Sequence, residues 1–282
     1  TEIFKQSLKI IILYAFLTFV IFLLLKLINL RTFDAYNLSI TIISSGGFLS
    51  INNFDNLFNT DLSKIILSIT ILFSYFSLFF TYNLFFVRKI NINYLSEDFY
   101  LLIYLLIVIS FIFVFFNFDN NFLSILVSIT SSVSNLGISF NNTPKNLSFI
   151  FLVLVIIGGS FFSTSSGIRL LKIYFLLRNS LNEILSYSKP NNIYLTKFHI
   201  IDVNIEQKDV NKYFLSVLIF IISLFIVSSL LSIFSINFED SFKLGILTLM
   251  NTVNSSMFNL DIFNFSELNL YSKLVLIVFM IV

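Results

Sequence analysis

Cysteine is absent from the 282 residues, which excludes a disulfide framework, a thiolate nucleophile and a Cys-ligated zinc site. Charge is scarce as well. Asp, Glu, Lys and Arg make up 11% of the chain, against roughly a quarter in a soluble domain, and they fall mostly between apolar runs rather than within them. A solvated surface cannot be built from so few. Histidine occurs once, as His199, with no second His and no acidic cluster at ligand spacing, so it reads as an ordinary linker residue. Nothing has the pattern of a nucleotide-binding loop, a catalytic triad or a nucleic-acid site, and no acidic or His cluster gathers at one depth, as a membrane transferase would need. The expectation is a non-enzymatic protein without a cofactor.

What the chain has in quantity is apolar residues, 57% of the total with 38 Phe among them. That composition makes the bilayer its solvent. A helix needs about 20 apolar residues to cross the hydrocarbon core, and six runs approach or meet that length: 7–30, 62–87, 99–117, 146–178 with an interruption, 213–236, and 270 to the end. The first is too long for a signal-peptide core and no small-residue cleavage site follows it, so it is expected to span. The chain starts at Thr1 and stops within "LVLIVFMIV", and it is expected to be a piece of a longer protein.

Shorter, more polar stretches alternate with these runs, and three of them lie over one another without gaps: "IISSGGFLS" (42–50), "SVSNLGISF" (132–140) and "TVNSSMFNL" (252–260). In this register Gly47, Gly137 and Met257 coincide. Each stretch follows ten or so residues suited to a half-length helix, opened by Asp34, by Asp119, or by Glu239 with Asp240, acids that complement a helix dipole and can cap its free amides. The pattern predicts three copies of one unit: membrane helix, short re-entrant helix, polar turn, membrane helix. The units are 1–95, 96–178 and 213–282, with a polar linker at 179–212.

Irregular backbone at membrane depth survives only where it is buried in protein or lines a wet cavity. Any one of these stretches could be an ordinary extramembrane turn, but three in register argue for loops converging on one polar axis. Glycine there lets carbonyls turn inward through φ values that a Cβ disfavours, and rings of carbonyls can replace the hydration shell of potassium. The expected filter residues are Ser45, Gly46 and Gly47; Asn135, Leu136 and Gly137; and Ser255, Ser256 and Met257, offering backbone carbonyls to the ion.

Basic residues set the orientation. Lys5 and Lys9 precede the first run, Arg88 and Lys89 follow the second, and Arg178, Lys189, Lys197, Lys208 and Lys212 flank or fill the linker. The positive-inside rule places these in the cytoplasm and all three loops outside. Asp55, Asp61, Asp119, Glu239, Asp240, Asp261 and Glu267 then lie on the outer face, either concentrating cations at a mouth or simply solubilising the surface. Within the linker, Pro190 ends the preceding helix and "NNIYLTKFHIIDVNIEQKDV" alternates in the manner of a small hairpin.

The interruption in the fourth run reads "GGSFFSTSSGIRLLK" (158–172). Two glycine steps invite a bend, and Ser160, Ser163, Thr164, Ser165 and Ser166 can bond the backbone groups that a bend frees. Arg169 follows directly, and intramembrane cations usually mark an ion path. Two readings stand. One is a gate at Gly158, Gly159, Ser163, Thr164, Gly167 and Arg169; the other is a small-residue packing face with Arg169 and Lys172 snorkelling to the membrane edge.

Taken in order, "TIISSGGFLS", "SITSSVSNLGISF", "IIGGSFFSTSSGIRLLK", a basic linker and "TLMNTVNSSMF" resemble the pore-forming subunit of the Trk/Ktr/HKT potassium transporter superfamily. The segment from Gly158 to Ile168 is similar to that family's signature at Gly158, Gly159, Ser163, Thr164, Gly167 and Ile168, with Arg169 where Lys is usual and Lys172 where the bacterial Trk branch usually has Arg. The resemblance implies an all-α membrane fold: helix, re-entrant pore helix, helix units around a pseudo-fourfold axis, three of four being present, as repeats two, three and four. It implies one filter glycine per repeat, a gating loop below the filter, potassium as transported substrate, a homodimer, a cytoplasmic nucleotide-binding regulatory subunit, and multi-pass residence in the cell (inner) membrane. The departures are Met257 at the fourth filter position and "SNLG" where runs of Thr are usual. Met257 favours an alternative in which the chain is a transport-incompetent or non-selective relative acting as scaffold or sensor.

Overall fold

The computed structural model describes residues 2–49, 54–78, 92–115, 122–140, 143–188, 207–234, 236–254, 256–260 and 268–281. Three long helices organise them, Glu2–Lys26, Ile92–Phe115 and Gln207–Ile233. Each is a proline-free run of Leu, Ile and Phe, and within them Ser7–Lys26, Glu97–Phe115 and Val210–Ile233 are long and apolar enough to cross a membrane. Only 22% of each apolar window is buried inside the chain. One narrow stripe faces inward, as Leu13, Leu17, Ile21 and Leu25 show at fourfold spacing, while Phe19, Leu23, Ile107, Phe111, Ile222 and Phe225 stay exposed. Such helices suit hydrocarbon outside and protein inside.

After each long helix comes a helix of 12 residues: Thr32–Ile43, Phe122–Val133 and Phe238–Leu249. At 1.5 Å per residue, each covers about 18 Å, or little over half the hydrocarbon core. The first and third pack on the long helix that precedes them, whereas Phe122–Val133 packs between Asp61–Tyr75 and Ser148–Ile156 and is buried at every residue from Val127 onward. Asp34, and Glu239 with Asp240, sit in first turns, but the residues at the two N-caps, Arg31 and Asn237, make no side-chain cap bond. The acids therefore act through the helix dipole rather than as caps. Asp119 lies outside the described residues.

The helices that follow differ from expectation in two places. The run 62–87 reads as one span, yet its helix, Asp61–Tyr75, stops at Phe76, which is extended (φ −78°, ψ 162°). No glycine or proline marks that stop. The other difference is the linker expected at 179–212: helix Leu170–Ser188 continues into it and Gln207–Ile233 begins inside it. Its middle, with Lys189, Pro190, Lys197 and His199, lies outside the described residues, as does most of the hairpin expected there.

Helix Ser148–Ile156 is interrupted from Ile157 to Arg169 before Leu170–Ser188 resumes. Ile157 pairs with Ile168, and Gly158 with Arg169, in parallel. A parallel pairing means that the chain leaves the interruption heading the way it entered, so the second helix continues the crossing begun by the first.

Candidate ion filter and gate

Each short helix ends in the same hydrogen-bonded turn. Ser45, Asn135 and Asn251 adopt left-handed backbone, with φ of 51°, 62° and 50°. Their N–H groups bond the carbonyls of Ile42, Ser132 and Thr248, and the next N–H groups, of Gly46, Leu136 and Thr252, reach back to Thr41, Ser131 and Leu247. This is the Schellman termination, which satisfies two carbonyls that the helix leaves orphaned. It brings 45–47, 135–137 and 251–253 into one structural register.

At the end of that register the first two loops return to positive φ, 65° at Gly47 and 77° at Gly137, and all three interlock. A Cβ on Gly47 would lie 2.0 Å from the Leu136 carbonyl oxygen, and one on Gly137 2.0 Å from that of Val253. Three segments distant in sequence thus converge with backbone against backbone. In the third loop the equivalent residue is Val253, whose φ is not positive and whose Cγ2 would be 2.8 Å from a Cβ on Gly47.

Ser255, Ser256 and Met257 were expected in that third position. Helix termination puts Asn251, Thr252 and Val253 there instead, because the register is set where the backbone ladder ends and not where hydroxyls recur. Ser255 lies outside the described residues. Ser256 and Met257 belong to a 3-10 turn, Ser256–Phe258. Met257 is buried, with its Sδ 3.7 Å from the donating Ser132 Oγ, and Ser256 Oγ lies 3.1 Å from Ser139 Oγ. These residues pack behind the second loop. Asn135 ties that loop further: its Nδ2 donates to Val155 O at 2.8 Å and to Thr252 Oγ1 at 3.4 Å.

The interrupted segment docks against the break after Tyr75. Ser160 N–H donates to Tyr75 O, Ser165 N–H to Ser74 O, and Leu78 N–H to Phe162 O, each at 3.2 Å. Each break supplies partners for groups freed by the other. Gly159 permits the contact, since a Cβ there would lie 2.3 Å from Tyr75 O. Ser163 and Ser165 act within the segment: Ser165 Oγ accepts from Gly159 N–H at 3.0 Å, and the two hydroxyls lie 2.9 Å apart. Thr164 and Ser166 reach outward. Thr164 Oγ1 donates to Ser74 O at 3.2 Å and lies 3.4 Å from Ser45 Oγ, and the Ser166 hydroxyl donates to Met250 O. Of the expected gate residues Thr164 touches the first loop directly, and Ser166, which is not among them, reaches the C-cap of the third short helix.

Arg169 is half-buried and gathers the segment from one side. Its Nη1 donates to Ser160 O and Ser165 O at 2.8 Å and to Ser163 Oγ at 2.7 Å. Two acids not expected here complete the site. Glu97 Oε1 accepts from Phe161 N–H at 2.6 Å, and buried Asp98 accepts from Ser77 N–H at 2.9 Å and Ser77 Oγ at 2.7 Å. The sequence pattern does not mark them, because the apolar run begins at residue 99 whereas the helix starts at Ile92. The third short helix also carries a buried cation, Lys243, whose Nζ lies 2.6 Å from Glu239 Oε1. That hydrogen bond and charge hold the Glu239 carboxyl below the usual carboxylate range.

The class these elements define is an all-helical membrane fold in which half-length helices aim their C-terminal turns at a shared point beside an interrupted helix. Neither a protein-family model nor a curated protein sequence matches the chain. Among solved structures it is similar to the crystal structure of the potassium transporter TrkH from Vibrio parahaemolyticus, with a TM-score of 0.85 at 19% identity over 99% of this chain. The chain spans 62% of the length of that protein. At this identity the likeness shows a shared TrkH-like fold.

Proposed function

We propose that this chain forms most of a cation-uptake pore for potassium, with the loops at 45–47, 135–137 and 251–253 as its filter and the segment 158–167 as its gate. One observation carries the reading: three left-handed helix-end loops meet backbone to backbone, and the interrupted segment is hydrogen-bonded to the first of them through Thr164 and Ser45, and to the C-cap residue just before the third through Ser166 and Met250. Carbonyls presented in such loops can stand in for an ion's water shell. A hydrogen-bonded segment of small residues against them can close the path and leave it without unfolding a helix. The similar solved structure is that of a potassium transporter.

The remaining parts of the proposal follow from charge and from that likeness. Loops face outward, the basic region around 179–212 faces the cytoplasm, and the protein resides in the inner membrane as a multi-pass chain, working as a homodimer with a cytoplasmic nucleotide-binding regulatory subunit. Repeats at 1–95, 96–178 and 213–282 supply three of four pore walls. Potassium is cargo, and no cofactor is involved.

Potassium and sodium uptake by the full-length protein in an uptake-deficient host tests the reading. Gly47→Asp and Gly137→Asp should each abolish uptake, while deletion of 160–166 should raise it. Unchanged uptake in both glycine variants would remove the filter assignment. A second reading is favoured by Val253: a side chain at a filter position suits a non-selective or transport-incompetent relative that serves as scaffold or sensor. Its transport-incompetent form requires no potassium uptake by the unmodified protein, and its non-selective form requires potassium and sodium uptake alike.

A further inference from the structure

We propose that Glu97 is the counter-charge that locks the interrupted segment, acting with Arg169 as a two-sided clamp on a single peptide group. The proposal rests on the gate reading above and names the residue that holds the gate shut.

Phe161 N–H donates to Glu97 Oε1 at 2.6 Å, and Ser160 O accepts from Arg169 Nη1 at 2.8 Å. Those two atoms are the opposite ends of the Ser160–Phe161 peptide. A peptide carries a dipole of about 3.5 D, with its negative end at the carbonyl, so an anion at the N–H and a cation at the oxygen both orient it the same way. Charge-assisted hydrogen bonds are roughly twice as strong as neutral ones. The clamp therefore fixes the tilt of this peptide more firmly than the neutral bonds at Ser165 and Leu78 fix theirs.

Asp98, next in sequence, holds the opposing surface. Its two oxygens take the N–H and hydroxyl of Ser77, in the break against which the segment docks. Successive helical residues point about 100° apart, and here the two carboxylates diverge to the two sides of one seam, Glu97 to 161 and Asp98 to 77. A bland account would make these acids complements to the dipole at a helix start. The helix begins at Ile92, however, and no acid stands in its first turn. Ionisable groups kept in an apolar span mark function more often than surface chemistry.

The experiment is tracer rubidium flux through the full-length protein reconstituted in vesicles, comparing the unmodified chain with Glu97→Ala, Glu97→Gln, Arg169→Ala, the Glu97→Ala/Arg169→Ala pair and a deletion of 160–166. Removing either half-buried side chain leaves the Ser160–Phe161 peptide held by a charge at one end only, so Glu97→Ala and Arg169→Ala should each raise flux by about tenfold or more. Glu97→Gln keeps an acceptor oxygen without the charge and should fall between. The double variant should not exceed the larger single one, since both act on one peptide. If the deletion raises flux while Glu97→Ala and Glu97→Gln leave it at the unmodified level, the clamp is wrong and the gate stands. If the deletion leaves flux unchanged, the gate reading fails and the clamp loses its function with it. Should Glu97→Ala not insert, the near-isosteric Glu97→Gln decides, and flux equal to that of the unmodified protein overturns the proposal.

Discussion

At Asn135 and at Asn251 the backbone leaves a short helix through the same left-handed turn, with the same pair of hydrogen bonds. Two residues later the paths part: Gly137 returns to positive φ, as Gly47 does in the first loop, while Val253 does not. The shared beginning is a property of helix termination and asks little of the sequence, since Ser, Asn and Asn all serve. The different ending depends on a single Cβ. Two loops can present bare backbone to a common point, and the third sends a branched side chain toward Gly47. Convergence and the baring of backbone at the meeting point are therefore separable properties of this fold, one carried by helix ends and the other by residues 47, 137 and 253.

The comparison breaks most visibly if the glycine loops are made to resemble the third. In Gly137→Ala the new Cβ meets the Val253 carbonyl, and in Gly47→Ala that of Leu136; both neighbours are backbone atoms that no rotamer change can move aside. Strain at positive φ adds about 1–3 kcal/mol. Rubidium uptake should fall about tenfold or more in each variant, and full uptake would show that the converging loops do not line the path. The converse change, Val253→Gly, lifts Cγ2 away from Gly47 and should raise the potassium-to-sodium uptake ratio several-fold.

Smaller effects probe the shared beginning. Asn135→Ser loses the bonds to Val155 and Thr252 and should lower stability in detergent by about 1–3 kcal/mol. Ser45→Asn places a residue more tolerant of left-handed backbone in the first turn and should stabilise by about 0.5 kcal/mol. Thermal unfolding reads both. Smallest of all is Met257→Leu, a volume-conserving change at a buried site, expected below about 1.5 kcal/mol with the ion ratio untouched. A shifted ratio would return Met257 to the filter.

Much of the helix order was legible in the sequence because apolar runs of about 20 residues have few alternatives. The interruption at 158–169 was legible too, since glycine and hydroxyl residues crowd it. The third loop was not. Without a glycine at 253, hydroxyl spacing drew the register toward "NSSM", although the ladder had already ended at Leu249. The break at Phe76 left no local mark, because it is stabilised by groups at 160–165 that lie far away in sequence. Glu97 and Asp98 look like the polar edge of a span until the fold brings Phe161 and Ser77 to them.

The pairing of Ile157 with Ile168 and of Gly158 with Arg169 has a consequence in time. It ties the two ends of the interrupted segment together, so the tip is a compact loop on a closed base. Displacing that tip ruptures a handful of hydrogen bonds between 160 and 166 and asks for no rotation of the helices on either side. Loop motions run from nanoseconds to microseconds, whereas collective helix and domain motions take microseconds to milliseconds. A path closed by such an element should flicker, passing ions in brief bursts instead of dwelling in long-lived open states.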